Sequence, residues 1–206
     1  MTLDGKIATR SGDSRISSRV DLVKLHRLRA HVDAVMIGRG TQLCDDPKLT
    51  VRLAGGRNPH RVVVDSLCRT NPRSSVLSTP GGSTMIAISE KAPNLRVKRM
   101  EKEGVTVIRC GNGGSVNLSV LLAKLHSFGV RRLLLEGGGR LNWSMLSGKL
   151  VDEIRITVAP FIVGGANATT LVEGLGVVMV PRAIKLTLAK IRRYGDEVLL
   201  TYLVRN

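Results

Sequence analysis

Aromatic residues are almost absent from this chain: two Phe, two Tyr and one Trp in 206 residues. A surface that stacks the bases of single-stranded nucleic acid needs more than these. Cysteine is equally sparse. Cys44, Cys68 and Cys110 lie far apart with no C-x-x-C pair, so neither a disulfide framework nor a zinc site is indicated, and an odd, scattered set suits reduced thiols in a cytoplasm. His26, His31, His60 and His126 are also dispersed, and no metal is expected. No apolar run reaches membrane-spanning length. The first residues, which include Asp4, Lys6 and Arg10, do not form a signal peptide. Acidic residues are the other shortage, with 16 against 32 Lys and Arg and a formal net charge of +16. Such a balance points to anionic partners, among them phosphorylated small molecules.

What the chain has is glycine in chemically loaded places. Residues 131–143 read RRLLLEGGGRLNW. Three leucines make a short buried strand, Glu136 follows, and Gly137, Gly138 and Gly139 turn the chain into a helix expected over 140–147. Glycines let a backbone approach a ligand closely, and a helix N-terminus favours an anion. A carboxylate and three glycines at a strand end therefore suggest a ligand site. The G-x-G-x-x-G dinucleotide fingerprint is incomplete, because Asn142 stands where its third glycine belongs.

The rest alternates. Asp4-Gly5 is a turn signal. A helix capped by Ser17 or Ser18 is expected, with Leu22, Leu25, Leu28 and Val32 on one face and Arg29 on the solvated one. A strand at 34–37 exits through Gly38-Arg39-Gly40-Thr41. Asp45-Asp46-Pro47 cannot continue a helix, which leaves capping, a turn or a ligand as roles for the two carboxylates. Strands are expected at 61–64, 84–88, 105–110 and 153–159. A charged outer helix is expected at 92–103, and a helix capped by Asn117 runs along Leu118, Leu121, Leu122, Leu125 and Phe128 to Gly129. Segments 185–192 and 197–204 form a hairpin about Tyr194-Gly195-Asp196. The pattern implies an α/β fold with a mostly parallel central sheet flanked by helices, ending in an antiparallel hairpin.

Taken in order, MTLDGKIAT, GDSRIS, LHRLRA, IGRGTQLCDDPKLTVR, RNPHRVVVDS, LLLEGGGRLNW and LVDEIRITVAPFIVGG resemble the riboflavin-biosynthesis pyrimidine reductases over nearly the whole chain. The likeness is to the stand-alone archaeal and fungal type, which is similar to the reductase domain of the bacterial bifunctional deaminase–reductase. The resemblance implies a dihydrofolate-reductase-like fold, a single reductase domain over 1–206, a cytoplasmic homodimer and NADPH as cofactor. It implies reduction of 2,5-diamino-6-ribosylamino-4(3H)-pyrimidinone 5′-phosphate to its ribitylamino form. The alternatives are the same reduction on the deaminated 5-amino-6-(5-phosphoribosylamino)uracil, a related reductase for another pterin or pyrimidine, and a basic nucleic-acid-binding protein.

By motif position, the resemblance assigns Thr41, Asp45, Ser66, Gly137, Gly138, Gly139 and Arg140 to the cofactor. It assigns Ser14, Arg29, Leu49, Arg52 and Glu136 to the phosphorylated ribosylaminopyrimidine substrate. Asp45 and Glu136 are the candidates for proton transfer as the sugar ring opens. Arg69 and the basic residues near Ser89 and Lys91 are candidates for the contact that separates NADPH from NADH. Relatives carry a strand before the MTLDG motif, so a start chosen too far downstream is also expected.

Overall fold

The computed structural model describes residues 1–205. The chain divides into two compact units, Val23–Gly138 and the remainder, Met1–Leu22 with Gly139 onward.

The central unit is built on a five-stranded, wholly parallel sheet of order β4-β3-β2-β1-β5. Its strands are β1 (Ala34–Gly38), β2 (His60–Val64), β3 (Thr84–Ile88), β4 (Thr106–Arg109) and β5 (Leu133–Leu135). Parallel strands need crossovers and have both faces covered, which is why they read as continuous β-branched and aliphatic runs. Val35, Ile37, Val63, Ile86 and Ile88 pack into one buried cluster with Val76, Val97 and Met100. β5 is an edge strand, and its three leucines are half-buried where full burial was expected. Burial raises the Cys68 thiol to about 11 and raises that of Cys110 too, so both are poor nucleophiles.

Helices α1 (Arg19–Ala30), α2 (Arg39–Asp45), α3 (Ser75–Ser78), α4 (Asn94–Lys102), α5 (Leu118–Ser127) and α6 (Gly139–Ser147) complete the alternation. The Asn117 side chain accepts from the Val120 amide at 3.1 Å, as an N-cap should, and Gly129 follows at φ +89°. Phe128 was expected on the buried face but is exposed. Helices α2 and α3 were not anticipated. The first is a single seven-residue element closed by Asp46 in the left-handed region at φ 38°. The Asp46 carboxylate accepts from both the backbone and the hydroxyl of Ser75 at 2.8 Å, so of the two adjacent acids it is the capping one. On α1 the fully buried residues are His26 and Arg29, while Leu22 is exposed. That reverses the expected helix face, because the polar pair has partners inside and the leucines are only partly covered.

Arg61 is 2% exposed, and burial lowers its pKa. Its guanidinium donates to the carbonyls of Thr79 and Gly82 and to the Thr84 hydroxyl at 2.7–3.0 Å. Carbonyl oxygens carry this charge without a carboxylate.

The other unit holds a three-stranded antiparallel sheet, β6-β8-β7, where a two-stranded hairpin was expected. It consists of β6 (Glu153–Val158), β7 (Leu186–Tyr194) and β8 (Glu197–Val204). The Asp4-Gly5 turn forms as read, with Gly5 at φ +79°. The Asp4 carboxylate accepts from Thr2 Oγ1 and from the Gly164 and Val163 amides, which lowers its pKa to about 2. Glu197 accepts from the backbone and hydroxyl of Ser18 at 3.0 and 2.6 Å, and Ser18 Oγ accepts from the Asp21 amide at 3.2 Å. The expected serine cap on α1 is therefore present and itself held.

Ile86 sits at the centre of β3 with no exposed surface. We expect Ile86→Ala to cost about 2–5 kcal/mol, read as a lower urea midpoint at unchanged slope.

Candidate functional site

In an all-parallel sheet every strand ends at the same edge, and ligands of open α/β sheets bind beyond that edge. Here β2, β1 and β5 are consecutive neighbours. Their exits carry Ser66, then Gly38 to Thr41, then Glu136 to Gly138, so three motifs far apart in sequence are brought to one edge.

The glycine turn is closed from both sides. The Gly137 carbonyl accepts from the Gly38 amide at 3.1 Å and from Thr41 Oγ1 at 3.2 Å. Gly137 and Gly138 have φ of +81° and +90°, and a Cβ on Gly138 would stand 2.9 Å from Thr41 Oγ1. Thr41 is thus a structural partner of this turn as well as a candidate ligand contact. On α2, Arg39 Nε and Gln42 Oε1 are buried with no hydrogen-bond partner among the described residues. A backbone with no Cβ, a threonine hydroxyl and the unsatisfied Arg39 Nε donor at a sheet edge fit a phosphate-bearing dinucleotide, while Gln42 Oε1 can meet only a donor such as a sugar hydroxyl. Ser66 Oγ accepts from the Val116 amide at 3.2 Å, and the Ser66 carbonyl accepts from the amide and hydroxyl of Ser89 at 3.0 Å. It therefore also ties together the exits of β2 and β3. Asp45 is exposed at the end of α2.

Glu136 immediately follows β5, and Arg29 reaches it from α1. Arg29 Nε and Nη2 donate to the two carboxylate oxygens at 2.6 Å each, and Nη1 donates to the Thr50 carbonyl at 3.1 Å. The two side chains are 8% and 14% exposed. A planar guanidinium matches a carboxylate in two places at once, and the arrangement leaves the outer lone pairs of Glu136 for a ligand. Arg29 is thus buried and paired, and the solvated role that helical spacing suggested is overturned. Leu49 and Arg52 lie on the segment that Arg29 holds. Leu49 is 1% exposed, belongs to the core cluster and has φ +51°, so only its main chain is available to a ligand. Arg52 is exposed.

Spacing did not single out His26 or Asn58. His26 Nδ1 accepts from the Arg52 amide, and Asn58 Oδ1 accepts from the Val51 amide. The available signal was that His26 stands three residues before Arg29, on the same face of α1.

The remaining residues belong to the other unit. Gly139 opens α6, and its carbonyl accepts from the Glu173 amide at 3.0 Å. A Cβ there would meet the Thr170 carbonyl at 2.8 Å, so glycine is required by packing. Arg140 is exposed in the first turn of α6, and Ser14 is exposed with its carbonyl accepting from the Ile16 amide. Among the described residues there is no helix long and apolar enough to cross a membrane, and no His/Cys/Asp/Glu group of metal-binding size.

Removing one partner of a buried ion pair strands the other. We expect Arg29→Met to cost about 3–5 kcal/mol, while the double variant Arg29→Met/Glu136→Met recovers much of that loss. Urea unfolding of the two variants side by side checks it.

Comparison with known proteins places the chain in a family. Residues 1–200 match the family described as the RibD C-terminal domain. A protein of Methanothermobacter thermautotrophicus named 2,5-diamino-6-ribosylamino-4(3H)-pyrimidinone 5′-phosphate reductase is 47% identical, over 100% of this chain and 95% of its own. A protein of the same name from Archaeoglobus fulgidus is 41% identical, over 97% and 93%. Among solved structures, Acinetobacter baumannii RibD superposes with a TM-score of 0.84 at 23% identity, over 99% of this chain and 55% of that one. This last likeness is one of fold, dihydrofolate-reductase-like as the resemblance implied. With that match running from residue 1 to residue 200, and with relatives this close over more than nine-tenths of their length, the chain belongs to the RibD C-terminal domain family.

Proposed function

We propose that this chain reduces 2,5-diamino-6-ribosylamino-4(3H)-pyrimidinone 5′-phosphate to the ribitylamino compound, with NADPH as reductant. The observation that carries the reading is the paired Arg29 and Glu136. Through it the segment bearing Arg52 is tied to the glycine turn that leaves β5, so a phosphate-binding arginine and a cofactor-binding turn share one frame. The names of the archaeal relatives support the diamino substrate.

The family implies a nicotinamide cofactor, which when bound supplies hydride to C1′ of the ring-opened sugar. The residues of the chain hold and orient. Gly137 and Gly138 take the cofactor phosphates, with Thr41, Asp45 and Ser66 beside them, and the resemblance adds Gly139 and Arg140. Arg52 answers the negative charge of the substrate. Arg29 bears on the substrate through Glu136, which accepts hydrogen bonds from it, the Leu49 main chain accepts or donates, and the resemblance adds Ser14 as a further substrate residue. Opening the ribosylamine ring to an imine requires a proton to reach the ring oxygen. Asp45 and Glu136 are the candidates for moving that proton, Glu136 with both oxygens engaged by Arg29. A homodimer is supported by the apolar side chains that β7 leaves uncovered, Leu186, Leu188 and Ile191, at 39–58% exposure.

The 2′-phosphate that distinguishes NADPH falls to Arg69, three residues beyond Ser66. With Arg96 and Arg99 it lines a cavity of about 370 Å³. We expect Arg69→Ala to raise KM for NADPH about tenfold or more, the worth of one charge-assisted hydrogen bond, with KM for NADH little changed.

The decisive experiment is NADPH oxidation by the purified protein with the diamino and the deaminated ribosylaminopyrimidine phosphates side by side. Turnover favouring the diamino compound is expected. Preference for the deaminated one would overturn the substrate, and absence of turnover with either would overturn the reaction.

A further inference from the structure

His26 is 3% exposed, and its Nδ1 accepts the Arg52 amide at 2.8 Å and the Leu53 amide at 3.4 Å. A ring nitrogen that accepts an amide proton carries none itself, so the imidazole is neutral with its hydrogen on Nε2. These bonds complete a set. The segment from Leu49 to Leu53 is held by the buried Leu49 side chain, by Arg29 on the Thr50 carbonyl, by Asn58 on the Val51 amide at 2.7 Å, and by His26 on the next two amides. All but the first grip the main chain. The exposed Arg52 side chain is left to point where that main chain sends it.

We propose that His26 is a positioning residue: its unprotonated Nδ1 fixes the backbone of Arg52 so that the guanidinium meets the substrate phosphate. The proposal rests on the reading of Arg52 as a phosphate ligand.

The groups facing His26 are Arg29 on its own helix, Arg52 on the held segment and Glu136 beyond β5. Burial lowers the imidazole pKa most, the two guanidiniums lower it further, and Glu136 opposes them. A proton on Nδ1 would turn the acceptor into a donor facing two N–H groups. The hold on Arg52 is therefore complete above the ordinary histidine range near about 6.5 and is lost as pH falls through the lowered value.

Two variants separate positioning from bulk. In His26→Asn the amide oxygen takes the place of Nδ1, whereas in His26→Gln it is carried one bond further. We expect His26→Gln to raise KM for the phosphorylated substrate about tenfold, the worth of one to two hydrogen bonds, with kcat within about twofold of wild type. His26→Asn should stay within about threefold of the wild-type KM. The wild-type KM should also rise more steeply towards acid than that of His26→Asn; the substrate phosphate titrates equally in both, so the difference between the profiles is the readout. A wild-type KM in His26→Gln, a loss confined to kcat, or identical acid profiles would overturn the proposal. If the wild type turns nothing over, the reaction fails separately. Binding of ribose 5-phosphate, followed by the NMR shift of the Arg52 amide, then decides: weaker binding in His26→Gln than in His26→Asn supports the proposal, and equal binding overturns it.

Discussion

A buried guanidinium needs partners for its charge, and in this protein Arg29 finds them on two segments and so joins three elements at once. It leaves α1, takes both oxygens of Glu136 beyond β5, and uses its remaining arm on the Thr50 carbonyl. Desolvating the pair is costly, and Coulomb attraction at 2.6 Å offsets that cost only because the geometry is bidentate. What results is mutual definition more than net stability. The helix, the segment before Asn58 and the start of the glycine turn cannot move independently.

The shortage of acid gives this economy a second side. With 16 carboxylates against 32 basic side chains, the acids with described partners are mostly occupied in holding the main chain. Asp33 accepts from the Arg131 and Arg132 amides at 2.8 Å, which lowers its pKa. Asp65 holds the Arg69 and Thr70 amides, Asp46 the start of α3 and Glu197 the cap of α1. Few are left to neutralise the surface, so much of the excess positive charge faces solvent. That suits a protein whose proposed ligands all carry phosphate, since long-range attraction raises encounter rates before any contact is made.

Much of this was legible in the sequence, because parallel strands are written as unbroken aliphatic runs and α5 announces itself with an asparagine cap and a closing glycine. The glycine turn and its carboxylate were legible for the same reason: residues that tolerate positive φ stand where the chain must turn. Helix α2 was not, since seven residues containing Gly40 show no helical period. Nor was the burial of His26 and Arg29, which depends on acceptors and donors 21 to 107 positions away. Spacing placed Arg29 in solvent, and only the resemblance of the motifs assigned it to the site. Asp45 and Asp46 were indistinguishable as letters. The left-handed turn at Asp46 separates them, giving that residue to Ser75 and leaving Asp45 at the exposed end of α2.

The two buried arginines differ in one more respect. The partners of Arg61 lie 18 to 23 residues away along the chain, in the crossover from β2 to β3 and at the first residue of β3, whereas Glu136 lies 107 residues from Arg29. Loop-closure entropy grows with the logarithm of that separation, so bringing Arg29 to Glu136 in an otherwise open chain costs roughly 1.5 kcal/mol more than closing the Arg61 crossover. That excess disappears once β1 and β5 are already paired. The charge that defines the site is therefore tied to strand order, while the charge that braces the crossover is purely local. A partly assembled chain can own the second without the first, and only a complete parallel sheet owns both.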